Sequence, residues 1–148
     1  MECTIDWGGP NGMLFTASTG SGHVAVMDGA VDGGGHNLAP RPMEMLLLAG
    51  TGGCTAYDVV LILKRGRHAV SGCSVKLQAE RADSDPKVFT RIHFAFTVTG
   101  RNLPRAAVER AVQLSHEKYC SASAMLEKTA ALTFSVEIVD TQEAPAAA

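Results

Sequence analysis

One long apolar stretch decides the fold of this chain: PMEMLLLAGTGGCTAYDVVLIL, residues 42–63. It is about as long as the ~20 apolar residues that cross a bilayer, but two acids, Glu44 and Asp58, and three glycines interrupt it. In a soluble protein, a helix that is apolar on every side lies buried in the middle of the fold. Because a small domain seldom covers such a helix by itself, we expect a symmetric homodimer and no membrane span.

The flanks of this stretch indicate a single long helix. Pro42 suits the first turn of a helix, where Glu44 favourably meets the positive end of the helix dipole. Basic residues precede Gly66, which we expect to end the helix. The glycine-rich segment 50–53 is compatible with a break in the helix or with the close approach of two helices.

The sequence on either side of this helix alternates as half-buried strands do. The predicted strands are 3–7, 13–19, 23–28, 74–81, 90–100 and 132–140. The first three predict a meander and the next two a hairpin. A second helical region follows residue 103, breaks near Lys118 and Tyr119, and resumes with Ser121 or Ser123 as the cap. Strands and helices are segregated, which predicts an α+β fold with largely antiparallel sheets.

Length, charge and composition narrow the class of protein. A chain of 148 residues fits one domain, 1–148. We expect 29–41 to be a mobile loop and 141–148 a disordered tail. A net charge of -2 gives no electrostatic footprint for nucleic acid. The first residues lack a secretory signal, so we expect a cytoplasmic protein with reduced thiols.

Cys54 lies within the apolar helix and has two readings. A free cysteine usually behaves as a small buried hydrophobe, but a thiol in a suitable charge environment is a nucleophile. Asp58 is four residues further on, over the same helix face, and a nearby carboxylate raises a thiol pKa unless it is neutralised. Asp58 therefore needs a partner, for which Arg or Lys is the ordinary choice.

Cys120 is the second candidate, because it precedes the last predicted helix, and helix N-termini lower thiol pKa values. His116, four residues earlier, could orient it, and both residues could equally be core filler. A zinc site built from Cys54, Cys120, His116 and His36 would draw on scattered ligands without short spacings. We therefore expect no metal and no cofactor.

Several motifs taken together resemble the OsmC/Ohr superfamily of thiol peroxidase-like proteins. They are PMEM, GGC, YDVV, VTGR and SHEKYCS, and the resemblance as a whole runs from about Trp7 to Asp140. The similarity is closest to the YhfA-type branch. It implies an OsmC-like fold in which two long helices pack centrally against curved sheets in an entwined homodimer.

The resemblance also implies roles for individual residues. Cys54 matches the peroxidatic cysteine, and Cys120 matches the resolving cysteine that forms a disulfide with it. Glu44 matches a carboxylate that helps to hold an arginine over the reactive thiol. In the peroxidase members that arginine comes from an early strand, whereas here no arginine precedes Arg41, which is the candidate substitute.

The function implied is that of a peroxiredoxin-like enzyme of oxidative stress defence. It would reduce organic hydroperoxides with Cys54 and Cys120 and be regenerated by an external dithiol. The alternative is a non-catalytic redox sensor or small-molecule-binding dimer on the same scaffold, because the activating arginine is missing.

Overall fold

The structure, a computed structural model, describes residues 1–141, except for the side chains of residues 48 and 49. Most of the predicted disordered tail, 142–148, lies outside the described residues. Thr141 donates its backbone N–H to Gly100 O at 2.9 Å. The chain forms two compact units, Met1–Ala49 and Gly50–Ala148. A single domain over 1–148 stays a prediction.

The first unit contains a three-stranded antiparallel sheet. Its strands, in spatial order, are β1 (Cys3–Trp7), β2 (Phe15–Thr19) and β3 (Val24–Met27). The predicted meander is confirmed. Gly22, with φ +81°, allows the tight turn before β3. All of β1 is exposed, and Val24 and Val26 of β3 are exposed as well.

The loop that follows β3 is organised by one buried acid. The Asp28 carboxylate accepts backbone N–H groups from Gly29 at 2.7 Å, His36 at 3.1 Å and Leu38 at 2.9 Å. These hydrogen bonds, that of Leu38 above all, hold the pKa of Asp28 below its usual value. The loop also contains a short 3-10 turn, Val31–Gly33. Its predicted mobility stays a prediction.

The apolar stretch is helical, as predicted, but it is not one uniform α-helix. α1 (Pro42–Met45) is followed by a π-helical segment, Leu46–Gly52, and then by α2 (Gly53–Arg65). The glycine-rich stretch therefore changes the helical hydrogen-bonding register instead of breaking the helix. By length and composition alone, residues 42–65 could cross a membrane. Core helices of soluble proteins share this length and composition.

The second unit is built on a three-stranded sheet in the order β4-β5-β6. The strands are β4 (Ala69–Arg81), β5 (Phe89–Arg101) and β6 (Ala131–Asp140). β4 begins five residues earlier than predicted, and its pairing with β5 shifts between Val70 and Gly72, where the sequence does not alternate cleanly. Every second side chain of β5 from Ile92 to Val98 is buried and forms the core.

The predicted hairpin of β4 and β5 is confirmed, but β6 pairs parallel to β5. The connection between β5 and β6 carries the remaining helices: α3 (Arg105–Leu114), a second π-helical segment (Ser115–Tyr119) and α4 (Ser121–Leu126). A strand, a helical crossover and a parallel strand form the βαβ arrangement. The α+β class with largely antiparallel sheets is confirmed.

Candidate functional site

Three side chains of the second unit that carry reactive or metal-binding groups lie together. The sulfur atoms of Cys54 and Cys120 and a carboxylate oxygen of Asp58 are all within 4.8 Å of one another. Cys54 and Asp58 are one turn apart on α2, as their spacing predicted. Cys120 comes from the corner between the second π-helical segment and α4. The structure thus brings together two thiols that are both free. We call this group the thiol–carboxylate cluster.

The partner of Asp58 is a hydroxyl group. Ser115 Oγ donates a hydrogen bond to Asp58 Oδ2 at 3.0 Å, where a salt bridge to Arg or Lys was the ordinary expectation. Ser115 is buried and begins the second π-helical segment. A hydrogen bond from a neutral donor orients the carboxylate but leaves its negative charge in place.

The start of α4 faces both sulfur atoms with backbone amides. Cys120, buried at 2% exposure, has extended backbone angles and caps α4, so neither Ser121 nor Ser123 is the cap. Its Sγ accepts the Ser123 N–H at 3.4 Å. The backbone N–H of Ala122 donates to Cys54 Sγ. First-turn amides have no partner within their own helix, so they are free to bind the sulfurs.

The environment of Cys54 favours its protonated form. Burial raises the pKa of the Cys54 thiol to about 11, and a hydrogen bond to Cys120 and the charges of Cys120 and Asp58 act in the same direction. The Ala122 N–H opposes them. Since the thiolate is the nucleophile and the metal ligand, Cys54 at neutral pH needs help to ionise.

A π-helical segment comes shortly before each cysteine. Leu46–Gly52 ends two residues before Cys54, and Ser115–Tyr119 ends at the residue before Cys120. π-helical turns are rare in proteins as a whole, but those that occur are often at functional sites. The extra residue in such a turn redirects the side chains that follow. In the second segment, Cys120 N–H donates to Ser115 O at 2.8 Å, five residues back. This spacing brings Ser115 and Cys120 to the same corner.

Glu44 belongs to the first unit and serves there as a helix cap. Its carboxylate accepts the backbone N–H of Arg41 at 2.9 Å. An arginine side chain has no acceptor, so the reciprocal half of a capping box cannot form. The predicted role of Glu44 in a common site with the two thiols stays a prediction.

His116, which the sequence left open as a partner of Cys120 or as core filler, packs against Phe134 of β6. Its ring lies 4.8 Å from the Phe134 ring, and its Nε2 is 3.9 Å from Glu127 Oε2. Within the described part of the chain, its buried Nδ1 makes no hydrogen bond. His36 lies in the first unit, against Gly12. Of the four zinc ligands considered from the sequence, Cys54 and Cys120 lie together. Asp58, which was not among the four, lies beside them and can also bind a metal.

Three residues that contribute to the site were not anticipated. The amides of Ala122 and Ser123 carry no side-chain signal. Ser115 was part of the SHEKYCS motif, but its distance of five residues from Cys120 fits neither the three- nor the four-residue spacing of an α-helix. Within a helix, residues five apart are hydrogen-bonded to each other only in a π-helical turn.

Comparisons with known proteins agree on the family. The family model described as OsmC-like protein matches residues 34–135. Protein YhfA of Escherichia coli K12 is 48% identical over 139 residues, which cover 94% of this chain and 98% of that protein. A hypothetical protein from Aquifex aeolicus is 28% identical with a TM-score of 0.81, over 95% of this chain and 97% of that one.

A more distant solved structure has the same fold. It is an organic hydroperoxide resistance protein OsmC from Legionella pneumophila, 19% identical, with a TM-score of 0.64 over 93% of this chain and 97% of that one. At this identity the likeness concerns the fold alone. The family model and the YhfA relative together decide the assignment: the chain belongs to the OsmC-like protein family.

Proposed function

We propose that this protein is a two-cysteine thiol peroxidase that reduces organic hydroperoxides in oxidative stress defence. The observation that carries the proposal is the pair of free thiols within 4.8 Å of each other, each facing an amide of the α4 start. A poised thiol of this kind forms a sulfenic acid that a neighbouring thiol condenses to a disulfide. The family relation and the described role of the Legionella relative support the same chemistry.

The reaction proceeds in three steps. The Cys54 thiolate attacks the peroxide, so that an S–O bond forms, the O–O bond breaks, and the alkoxide takes a proton to leave as an alcohol. The Cys120 thiolate then attacks the sulfenic sulfur; an S–S bond forms, and the hydroxide leaves as water after taking a proton. An external dithiol exchanges with this disulfide, becomes oxidised itself and restores both thiols.

The catalytic set comprises Cys54 as nucleophile, Cys120 as resolving thiol and, by resemblance alone, Glu44. Because no arginine precedes Arg41 in the sequence, the amide of Ala122 supplies stabilisation for the Cys54 thiolate, and Arg41 is the candidate cation. The largely apolar surroundings of α2 favour organic over hydrogen peroxide.

We propose further that the active form is a cytoplasmic homodimer that binds neither nucleic acid nor membrane. Only 38% of the most apolar part of residues 42–65 is buried within the chain. Tyr57 on α2 is 69% exposed, and Ile5 and Trp7 of β1 are exposed as well. Apolar surface of this kind marks a protein interface. A second copy of the chain would cover it.

A non-catalytic redox sensor or small-molecule-binding dimer is the second candidate. It is favoured by the pKa of Cys54 near 11, which leaves little thiolate at neutral pH. A sensor tolerates slow oxidation, whereas a peroxidase must repeat it.

The decisive experiment is peptide mass spectrometry of the reduced, chelator-treated protein after one equivalent of cumene hydroperoxide, with peroxide consumption followed under excess dithiothreitol. We expect a disulfide between Cys54 and Cys120 and repeated turnover. Cys54→Ser should abolish consumption, Cys120→Ser should stop at the sulfenic acid after one equivalent of peroxide without dithiothreitol, and the matched control Cys73→Ser should behave as the wild type. Stoichiometric oxidation without turnover would favour the sensor, and unmodified thiols would contradict both.

A further inference from the structure

The thiol–carboxylate cluster has the composition of a metal site as well as that of a redox pair. We propose that the reduced protein binds one zinc-class divalent cation through Cys54 Sγ, Cys120 Sγ and an Asp58 carboxylate oxygen. The fourth tetrahedral position stays open to water. This inference goes beyond peroxide reduction and replaces the sequence-based expectation of a metal-free site.

The distances suit a tetrahedral ion with little rearrangement. Zinc binds thiolate at about 2.3 Å and carboxylate oxygen at about 2.0–2.2 Å, so tetrahedral ligand atoms lie roughly 3.5–3.8 Å apart. The three ligand atoms here lie within 4.8 Å of one another. Small side-chain rotations on α2 and at the α4 corner close the remaining gap.

Each of the three ligands is already held by an outer partner. Ser115 Oγ donates to Asp58 Oδ2, which orients the carboxylate and leaves lone pairs of its oxygens for the ion. Ala122 N–H donates to Cys54 Sγ, and Ser123 N–H donates to Cys120 Sγ. Hydrogen bonds of this kind orient metal ligands and tune their basicity. The supporting shell of a metal site is therefore complete for all three groups.

A bound cation would be attracted by the negative charge of Asp58. Beside a thiolate alone, a carboxylate one helical turn away is repulsive. Beside a divalent ion, the same carboxylate and both thiolates are attractive, and the ion displaces the thiol protons. The combined negative charge of the cluster thus suits a bound divalent ion.

The ligand set selects the class of ion. Two thiolates favour zinc and other thiophilic cations over magnesium and calcium, which prefer oxygen ligands. Three protein ligands with an open position also differ from the four-ligand sets of structural zinc sites. The ion would occupy the thiols that peroxide must reach, and oxidation of the pair to a disulfide would remove two ligands and release the ion.

The test uses the full-length, reduced, metal-free protein and no peroxide. Cobalt(II) serves as the spectroscopic probe, and zinc affinity is measured by competition with a chromogenic chelator. We expect one ion per chain, sulfur-to-cobalt charge-transfer absorption, and proton release on binding. Cys54→Ser and Cys120→Ser should each weaken that absorption, while the matched control Cys73→Ser should leave it unchanged.

Two further variants separate this site from adventitious thiol binding. Ser115→Ala should lower zinc affinity by about 10- to 100-fold, as loss of an outer partner does. Asp58→Asn, which keeps an acceptor for Ser115, should lower it further. Circular dichroism checks that each variant is folded. If Asp58→Asn does not fold, the zinc affinities of Ser115→Ala and Cys120→Ser decide whether the proposed site exists.

Three outcomes would overturn the proposal: no uptake by the reduced wild type, uptake without sulfur charge transfer, or zinc affinity that neither Asp58→Asn nor Ser115→Ala changes. The peroxidase proposal is judged separately, because its turnover assay is run in chelator. Zinc binding without turnover would sustain the metal site alone, and turnover without zinc binding would sustain the peroxidase alone.

Discussion

At the scale of single residues, the chemistry of Cys54 is set by what surrounds its sulfur. Burial, Cys120 and Asp58 all favour the thiol, and the Ala122 amide favours the thiolate. The pKa of about 11 lies above the ordinary 9.0, so the thiolate population of Cys54 grows with pH up to that value. Its reactivity is therefore the most direct measure of the site.

We predict that alkylation of Cys54 by iodoacetamide in the metal-free protein accelerates with pH and levels off near pH 11. Peptide mass spectrometry at a series of pH values measures it, with the exposed Cys3 as the internal reference. The free energy of unfolding changes in the opposite direction, because the thiol ionises at a lower pH in the unfolded chain than in the folded one. The contribution of Cys54 to stability is therefore complete below about pH 9 and is lost as the pH rises towards 11. A plateau in the alkylation rate near pH 8 would contradict this environment.

At the scale of elements, the start of α4 and the two π-helical segments position the site. Cys120 caps α4, and the next two amides of that helix face the two sulfurs. The second π-helical segment brings Ser115 to the same corner. The site therefore depends on backbone geometry that most substitutions leave intact, and proline is the substitution that tests it.

Ala122→Pro should slow alkylation of Cys54 at neutral pH by about tenfold or more. Proline is tolerated in the first turn of a helix, but it removes the N–H that donates to Cys54, and a hydrogen bond to a charged group contributes about 1.5–3 kcal/mol. Ser121→Pro, one residue earlier in the same turn, is the matched control. The two rates are compared at one pH; equal rates in both variants would show that the Ala122 amide does not stabilise the thiolate.

At the scale of the whole molecule, exposed apolar side chains support the proposed dimer. Tyr57, Ile5 and Trp7 are each more than half exposed in the single chain. We predict that the wild type sediments as a dimer and that Tyr57→Asp sediments as a monomer, because a charge would be buried unpaired in the interface. Lys76→Asp, an exposed charge change on β4, should remain dimeric. Analytical ultracentrifugation measures both, and a monomeric wild type would overturn the dimer.

The sequence by itself determined what depends on local interactions. Alternation gave the strands, an apolar run and its capping residues gave the helix from Pro42 to Arg65, and the four-residue spacing put Cys54 and Asp58 on one face. The elements and the α+β class follow from these patterns. The change to π-helical hydrogen bonding in residues 46–52 did not, because a stretch that is apolar on every side has no polar face whose shift would reveal it.

Only the tertiary structure decided which distant residues meet. Ser115 reaches Asp58 across 57 positions of the chain, and the amides at the start of α4 reach Cys54. Before the structure, only the resemblance had paired Cys54 with Cys120 as a redox couple. The parallel pairing of β6 likewise depends on the crossover that carries α3 and α4. Such contacts arise from the packing of whole elements, and local periodicity specifies the faces of an element but not the faces that it meets.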